Sequence, residues 1–231
     1  MNATVMSLPF TQDQFFEVFR RYNEAVWPVQ GVLIALALLA ALLAVRGTSS
    51  GARAVSGILA ILWLWMAVVY HWAFFTSINR AAVLFGVLFM GQGILFAVIA
   101  VRKSTLAFGS PGKVRRLMGT ALIAYALLIY PALGALLGHR YPASPTFGLP
   151  CPTTIFTFGL LLWAGPSVPR IALAIPLFWA GIGTWGAVGL GVREDFGLIV
   201  AALMSAILLL RTKPVAPIAL SKPAPHTAAL R

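Results

Sequence analysis

The chain has 231 residues, of which 60% are hydrophobic and only 10% charged, with a formal net charge of +12. A soluble domain carries about 25% charged residues, and a single core of this size could not hide so much apolar surface, so a water-soluble globular fold is excluded. The basic excess lies in the gaps between apolar runs, where lipid headgroups explain it without nucleic acid.

Residues 10–25 precede any apolar run and read as an amphipathic helix. Thr11 with Gln14 fits a capping box. Phe15, Phe19, Tyr22 and Val26 follow at helical spacing, with Asp13, Glu17, Arg20, Arg21 and Glu24 between them. Such a helix lies in the membrane interface or, in a functional role, serves as a lid or docking element. The first 25 residues are polar and aromatic rather than basic and then apolar. No cleavable signal peptide is expected, and the first span serves as its own insertion signal.

Seven apolar runs follow, near 27–45, 54–75, 81–101, 117–137, 152–165, 171–190 and 196–210. The expected fold is all-α, a polytopic membrane bundle of about seven helices. Trp27-Pro28 opens the first run, and Tyr70, Trp72, Phe74 and Phe75 close the second as an aromatic belt. The fifth and seventh runs cover only ~20–23 Å of a ~30 Å hydrocarbon layer. Each must begin below the surface, thin the bilayer or be shielded by neighbours. Three regions result: an interfacial segment at 1–26, the bundle at 27–210, and a Pro-, Ala- and Lys-rich tail at 211–231 that reads as disordered.

Lys and Arg set the expected orientation. With seven spans, the side holding the N-terminal segment carries Arg20, Arg21, Arg80, Arg140 and Arg193, and the other side carries the remaining twelve. The positive-inside rule places the N-terminus outside and the C-terminus in the cytoplasm of a bacterial inner membrane. All five acidic residues, Asp13, Glu17, Glu24, Glu194 and Asp195, then fall on the outer side with His71, His139 and Cys151. His226 in the tail is the exception. The opposite gap carries Arg102, Lys103, Lys113, Arg115 and Arg116, read as lipid-headgroup contacts.

Chemistry concentrates at Cys151, the only cysteine, which rules out an internal disulfide and a multi-cysteine metal site. The stretch from Gly138 to Pro152 is too proline-rich for a helix. Cys151 is expected at the N-cap of the fifth helix with Pro152 in its first position, where the helix dipole favours a thiolate. Thr154 lies one turn on. These features fit a soft-metal, thiol-reactive or anion site, and equally a small buried residue in a rigid turn. His71 and His139 are metal-ligand candidates beside Cys151, or interfacial hydrogen-bonders. Asp195 fits an N-cap of the seventh helix, or binds a cation or proton. Gln92, mid-membrane, is explained by inter-helix hydrogen bonding, and Gly134/Gly138 by close helix packing. No triad, nucleotide loop or HExxH motif occurs.

Several runs together carry a resemblance: Pro9-Phe10-Thr11, Tyr22-Asn23, Val26-Trp27-Pro28, Tyr70-His71, Ile78-Asn79, Tyr141-Pro142 and Pro145-Thr146-Phe147-Gly148-Leu149-Pro150-Cys151-Pro152-Thr153-Thr154-Ile155-Phe156-Thr157. The chain resembles, over about residues 9–210, a family of bacterial multi-pass membrane proteins known only as a domain of unknown function. That resemblance implies the topology and transfers no activity, cofactor or residue role.

The expected function is binding or transport of a small solute or soft metal ion at an outward-facing site of Cys151, Thr154, His139, His71 and Asp195. The alternatives are a membrane thiol or redox enzyme, and a non-catalytic accessory subunit docking through its first helix. The expected partner is the lipid bilayer; cofactor and oligomeric state are left open.

Overall fold

The computed structural model describes residues 8–102, 106–109, 111–164 and 168–211. The tail from 212, with His226, and Lys103 lie outside the described residues. Within them the chain forms eight helices: α1 (Gln12–Val26), α2 (Val29–Arg46), α3 (Ser49–Ser77), α4 (Ala82–Val101), α5 (Lys113–Leu136), α6 (Pro150–Trp163), α7 (Ile171–Leu190) and α8 (Phe196–Leu210). The all-α bundle expected from sequence is present. Five helices, α2, α3, α4, α5 and α7, are long and apolar enough to cross a bilayer. Leu38, Leu42, Leu84, Val87, Leu128 and Val188 stand exposed on them, an apolar belt that suits lipid far better than water.

From α2 onward the helices run alternately up and down, so the connections gather at two ends. At one end Gly47 meets Gly109 backbone to backbone, and Arg53 Nε donates to the Ala100 carbonyl at 3.0 Å. At the other, α1 lies across the bundle, with its capping box of Thr11 and Gln14 formed. Val18, Phe19, Tyr22, Asn23 and Val26 are buried, and Glu17, Arg20 and Glu24 form ion pairs on the exposed face. The aromatic face of α1 packs on protein. Tyr70 and Phe75, expected in a lipid-facing belt, are buried against it; Trp72 stays exposed.

The short helix α6 is the centre of the bundle. Thirteen of its fourteen residues are buried, all but Cys151. It packs against α5, α7, α8 and α2, and comes closest to α5 through Gly119 and Gly159: a Cβ on either would stand 2.7–2.9 Å from the other's carbonyl oxygen. Neighbour shielding therefore accounts for its length. Leu149 is the N-cap and Pro150 the first helical residue, so Cys151 is second in the helix and not its cap.

This start solves a solvation problem. A helix leaves four N–H groups without intrahelical partners, which is costly away from water. Here Pro150 and Pro152 have no N–H at all, and Leu149 donates to the Thr146 carbonyl at 3.1 Å. The approach to α6 is satisfied in the same way. Asn23 Nδ2 donates to the carbonyls of Pro142 (2.6 Å) and Ser144 (2.8 Å), and Gly148 N–H donates to Thr153 Oγ1 (3.1 Å). At the other end, Arg115 donates to the carbonyls of Leu161 and Ala164. Arg115 is thus buried as the C-terminal cap of α6 rather than placed among headgroups.

Two further prolines shape the neighbours. Pro131 cannot donate to the Leu127 carbonyl, and α5 passes through a π-helical stretch, Tyr125–Ile129, just before it. Pro176 in α7 likewise leaves the Ala172 carbonyl without its helical donor. Gln92 Nε2 of α4 supplies that donor at 3.1 Å, giving the expected inter-helix bond a specific cause. Gly134 and Gly138 do not form a helix-packing pair: Gly138 adopts φ 95° at the end of α5, with His139 N–H on the Gly134 carbonyl (2.8 Å) and Gly138 N–H on that of Ala135 (3.3 Å). This is a Schellman C-terminus, and it fixes where His139 points.

Replacing Gln92 by Leu should lower stability by about 1–2 kcal/mol, because it strands a buried carbonyl. Pro176→Ala returns an N–H to that carbonyl, so Gln92→Leu should cost less than half as much in its background. Unfolding measurements in detergent on the four-variant cycle check this; equal costs in both backgrounds would refute the pairing.

Candidate functional site

Beneath α1 lies a cavity of about 90 Å³. Its roof is Phe10 with Phe15 and Phe19 of α1; its walls are Tyr70 and Phe75 of α3 and Trp179, Gly183 and Gly186 of α7; Asn79, Tyr130, Cys151 and Asp195 are among its polar members. Gln12 Nε2 holds α1 in place by donating to the Leu190 carbonyl at the end of α7 (2.9 Å). Asn23 anchors the other half of α1, accepting from Gln30 Nε2 (2.6 Å) and Thr146 Oγ1 (2.7 Å).

Local backbone places each polar group. Tyr125 and Tyr130 are five residues apart, which in an α-helix sets them about 140° apart. The π stretch closes i→i+5 and brings their rings to 6.2 Å. Both then reach the turn before α8: Tyr125 Oη donates to the Glu194 carbonyl at 2.7 Å, and Tyr130 Oη donates to Asp195 Oδ1. Asp195 immediately precedes α8, yet its side chain makes no cap. The N-cap role expected of it is replaced by bonds to Tyr130 and to the Cys151 thiol. Gly183 makes room for that thiol: a Cβ there would stand 3.3 Å from Cys151 Sγ and 2.8 Å from Leu198 Cδ2. The indole N–H of buried Trp179 lies at the same place and has no oxygen acceptor among the described residues.

The structure brings together two of the five residues expected at the site, Cys151 and Asp195. His139 is adjacent but serves Glu194, its Nδ1 2.7 Å from Oε1 of that fully buried carboxylate, with Phe16 stacked over its ring at 4.6 Å. Glu194 Oε2 has no hydrogen-bond partner among the described residues. His71 sits behind the cavity wall, fully buried among Tyr70, Phe75, Phe85, Phe89 and Trp179, with ring centroids 4.6–6.1 Å away and neither nitrogen bonded among the described residues. Thr154 is buried, its hydroxyl without a partner among the described residues, and does not line the cavity. No three His, Cys, Asp or Glu side chains among the described residues gather as metal ligands, so Cys151, His71 and His139 do not form one metal centre.

The surroundings of Cys151 also bear on thiol chemistry. A reactive thiolate is supported by a cation or by free helix N–H groups. Here the nearest charged group is a carboxylate, and two of the four N–H groups are missing. This thiol instead lies as a neutral group against the Asp195 carboxyl. Tyr130, Tyr70, Trp179 and Glu194, the partner of His139, are the site members that composition and α-helical spacing did not reveal. The one local signal for Tyr130 was the proline that follows it inside an apolar run.

Residues 12–219 match the Family of unknown function (DUF6064). The chain belongs to that family. Comparison with curated proteins and with solved structures gives no match. Membership in this DUF6064 family agrees with the expectation of a family of unknown function and brings no activity with it.

Burial pushes the Asp195 carboxyl up to about 7, with the Glu194 charge adding to the rise and the Tyr130 and Cys151 hydrogen bonds opposing it. The fold therefore favours protonated Asp195. Its contribution to stability is complete below the unfolded value near 4 and is lost as pH rises through about 7. The thermal midpoint in detergent should fall between pH 5 and pH 8 (both values on the order of the two pKa bounds), and Asp195→Asn should flatten that slope. An unchanged slope in the variant would show that another group sets it.

Proposed function

We propose that this is a seven-span integral membrane protein that binds a small solute in the cavity under α1, on the outer side of the inner membrane. The observation that carries the reading is the cavity itself, roofed by aromatic side chains and carrying a hydrogen-bonded carboxyl. A mostly apolar pocket with a few convergent polar groups is the usual form of a small-molecule site. The side of the membrane follows from the charge count: the cavity lies at the end that holds every acidic residue and few of the basic ones. The helix α1 acts as the lid over the solute.

Size limits the occupant. A cavity of ~150 Å³ accepts benzene, with its six heavy atoms, so about 90 Å³ corresponds to a smaller solute of about four or five. No observation favours a metal ion or a thiol–disulfide reaction at this place.

Gly186 supplies the test. It lines the cavity, and a Cβ on it would meet nothing within 4 Å. Gly186→Leu should fill the space with little change in thermal midpoint. Ligand-observed NMR on protein in nanodiscs, with neutral, cationic and anionic solutes of this size, should find saturable binding of at least one class. That binding should be lost in Gly186→Leu. No saturable binding in the wild type, or equal binding in the variant, would overturn the reading.

A further inference from the structure

Asp195 lines a cavity whose walls are otherwise mostly apolar or aromatic, and among the described residues it has no cationic partner. The groups acting on it are Tyr130, Cys151 and Glu194, and no Lys or Arg among the described residues forms an ion pair with it or with Glu194. Tyr130 and Cys151 are neutral donors. They ease the burial of a negative charge without cancelling it. Glu194 is engaged by His139 and adds to the negative potential. An anionic occupant would face the Asp195 carboxyl with Glu194 behind it, and a neutral one would leave an ionised Asp195 uncompensated.

The walls answer in kind. Phe15, Tyr70, Phe75 and Trp179 surround the space beside the carboxyl. Aromatic rings attract an organic cation through their negative faces, and more so when water is excluded. A single carboxylate within an aromatic wall is the arrangement that suits an alkylammonium group. An inorganic cation would want several oxygen ligands, and the described residues gather no such cluster.

We propose that the cavity binds a small organic ammonium ion of about four or five heavy atoms, with its charge on Asp195 and its alkyl part against the aromatic wall. This rests on the cavity being a solute site at all. The titratable groups facing Asp195 are Tyr125 and Tyr130 on α5, Cys151 on α6, Tyr70 on α3, and Glu194 with its partner His139. Among them Asp195 is the carboxyl that lines the cavity, so ionising it should strengthen binding.

The test uses three solutes of matched size and different charge, n-butylammonium, n-butanol and n-butyrate, on the full chain in nanodiscs. The ammonium should bind about tenfold or more tightly than either companion above neutral pH. Its affinity should rise as the pH passes through about 7. Asp195→Asn should abolish the preference while n-butanol binding persists. Both the rank order and the pH profile are read on the wild type, so they decide the matter even if that variant fails to fold. Preferential binding of n-butanol would overturn the ammonium assignment and leave the solute site standing. A preference for n-butyrate, or an ammonium preference that survives Asp195→Asn, would also overturn it. Binding of none of the three would overturn the assignment and the solute-site reading together.

Discussion

The constraint on which this structure depends is a helix too short to cross a membrane, placed where no water can serve its ends. α6 has fourteen residues and is buried along nearly its whole length. Every polar group at its ends must therefore be satisfied by protein or be absent. Both solutions occur. Prolines delete two N–H groups at its start, and Arg115 takes up carbonyls at its finish. The irregular segment that leads to it is held by Asn23, Gln30 and Thr146, which ties α1 and α2 to the same problem.

Because α6 begins inside the bundle, a space remains above its first turn. Cys151 Sγ lies beside Gly183, and α7 continues from there to Leu190, seven residues and about 10 Å further. The cavity occupies part of that height, with α1 across the top. The irregularities of the neighbouring helices serve the same region. The π stretch of α5 turns Tyr130 onto Asp195, and a second π-helical stretch, Met66–Phe74 within α3, leaves Tyr70 stacked on Phe75 at 5.4 Å in the cavity wall. The site thus arises where helices depart from regular α geometry, as often happens at functional places.

Much of the fold was legible in the sequence because membrane constraints act on local composition. Apolar run length gives the helices, and the Thr11–Gln14 box gives the start of α1. The Gly138–Pro152 stretch announces irregular backbone by its prolines, and the length of α6 announces that it must be shielded. What was not legible depends on register and tertiary pairing. Cys151 and Asp195 are separated by 44 positions, and only the packing of α6 on α7 and α8 joins them. Tyr125 and Tyr130 look unrelated at α-helical spacing. Asp195 stands at a good capping position, and its bond to Tyr130 cannot be read from spacing. His71 sits among aromatic neighbours that suggested a lipid-facing belt, whereas Tyr70 and Phe75 turn inward to meet α1. Arg115 lies in a basic gap that composition alone assigns to headgroups.

The central claim is that Cys151 opens onto a small cavity roofed by α1, neither sealed in the core nor exposed to solvent. As the only cysteine, it reports on that directly. Modification of the folded protein in nanodiscs can be followed by intact mass with a methyl-sized methanethiosulfonate reagent and with a bulky charged maleimide. The expected result is slow modification by the small reagent, none by the bulky one, and loss of the small-reagent reaction in Gly186→Leu. Equal reaction with both reagents, or modification only after unfolding, would contradict it.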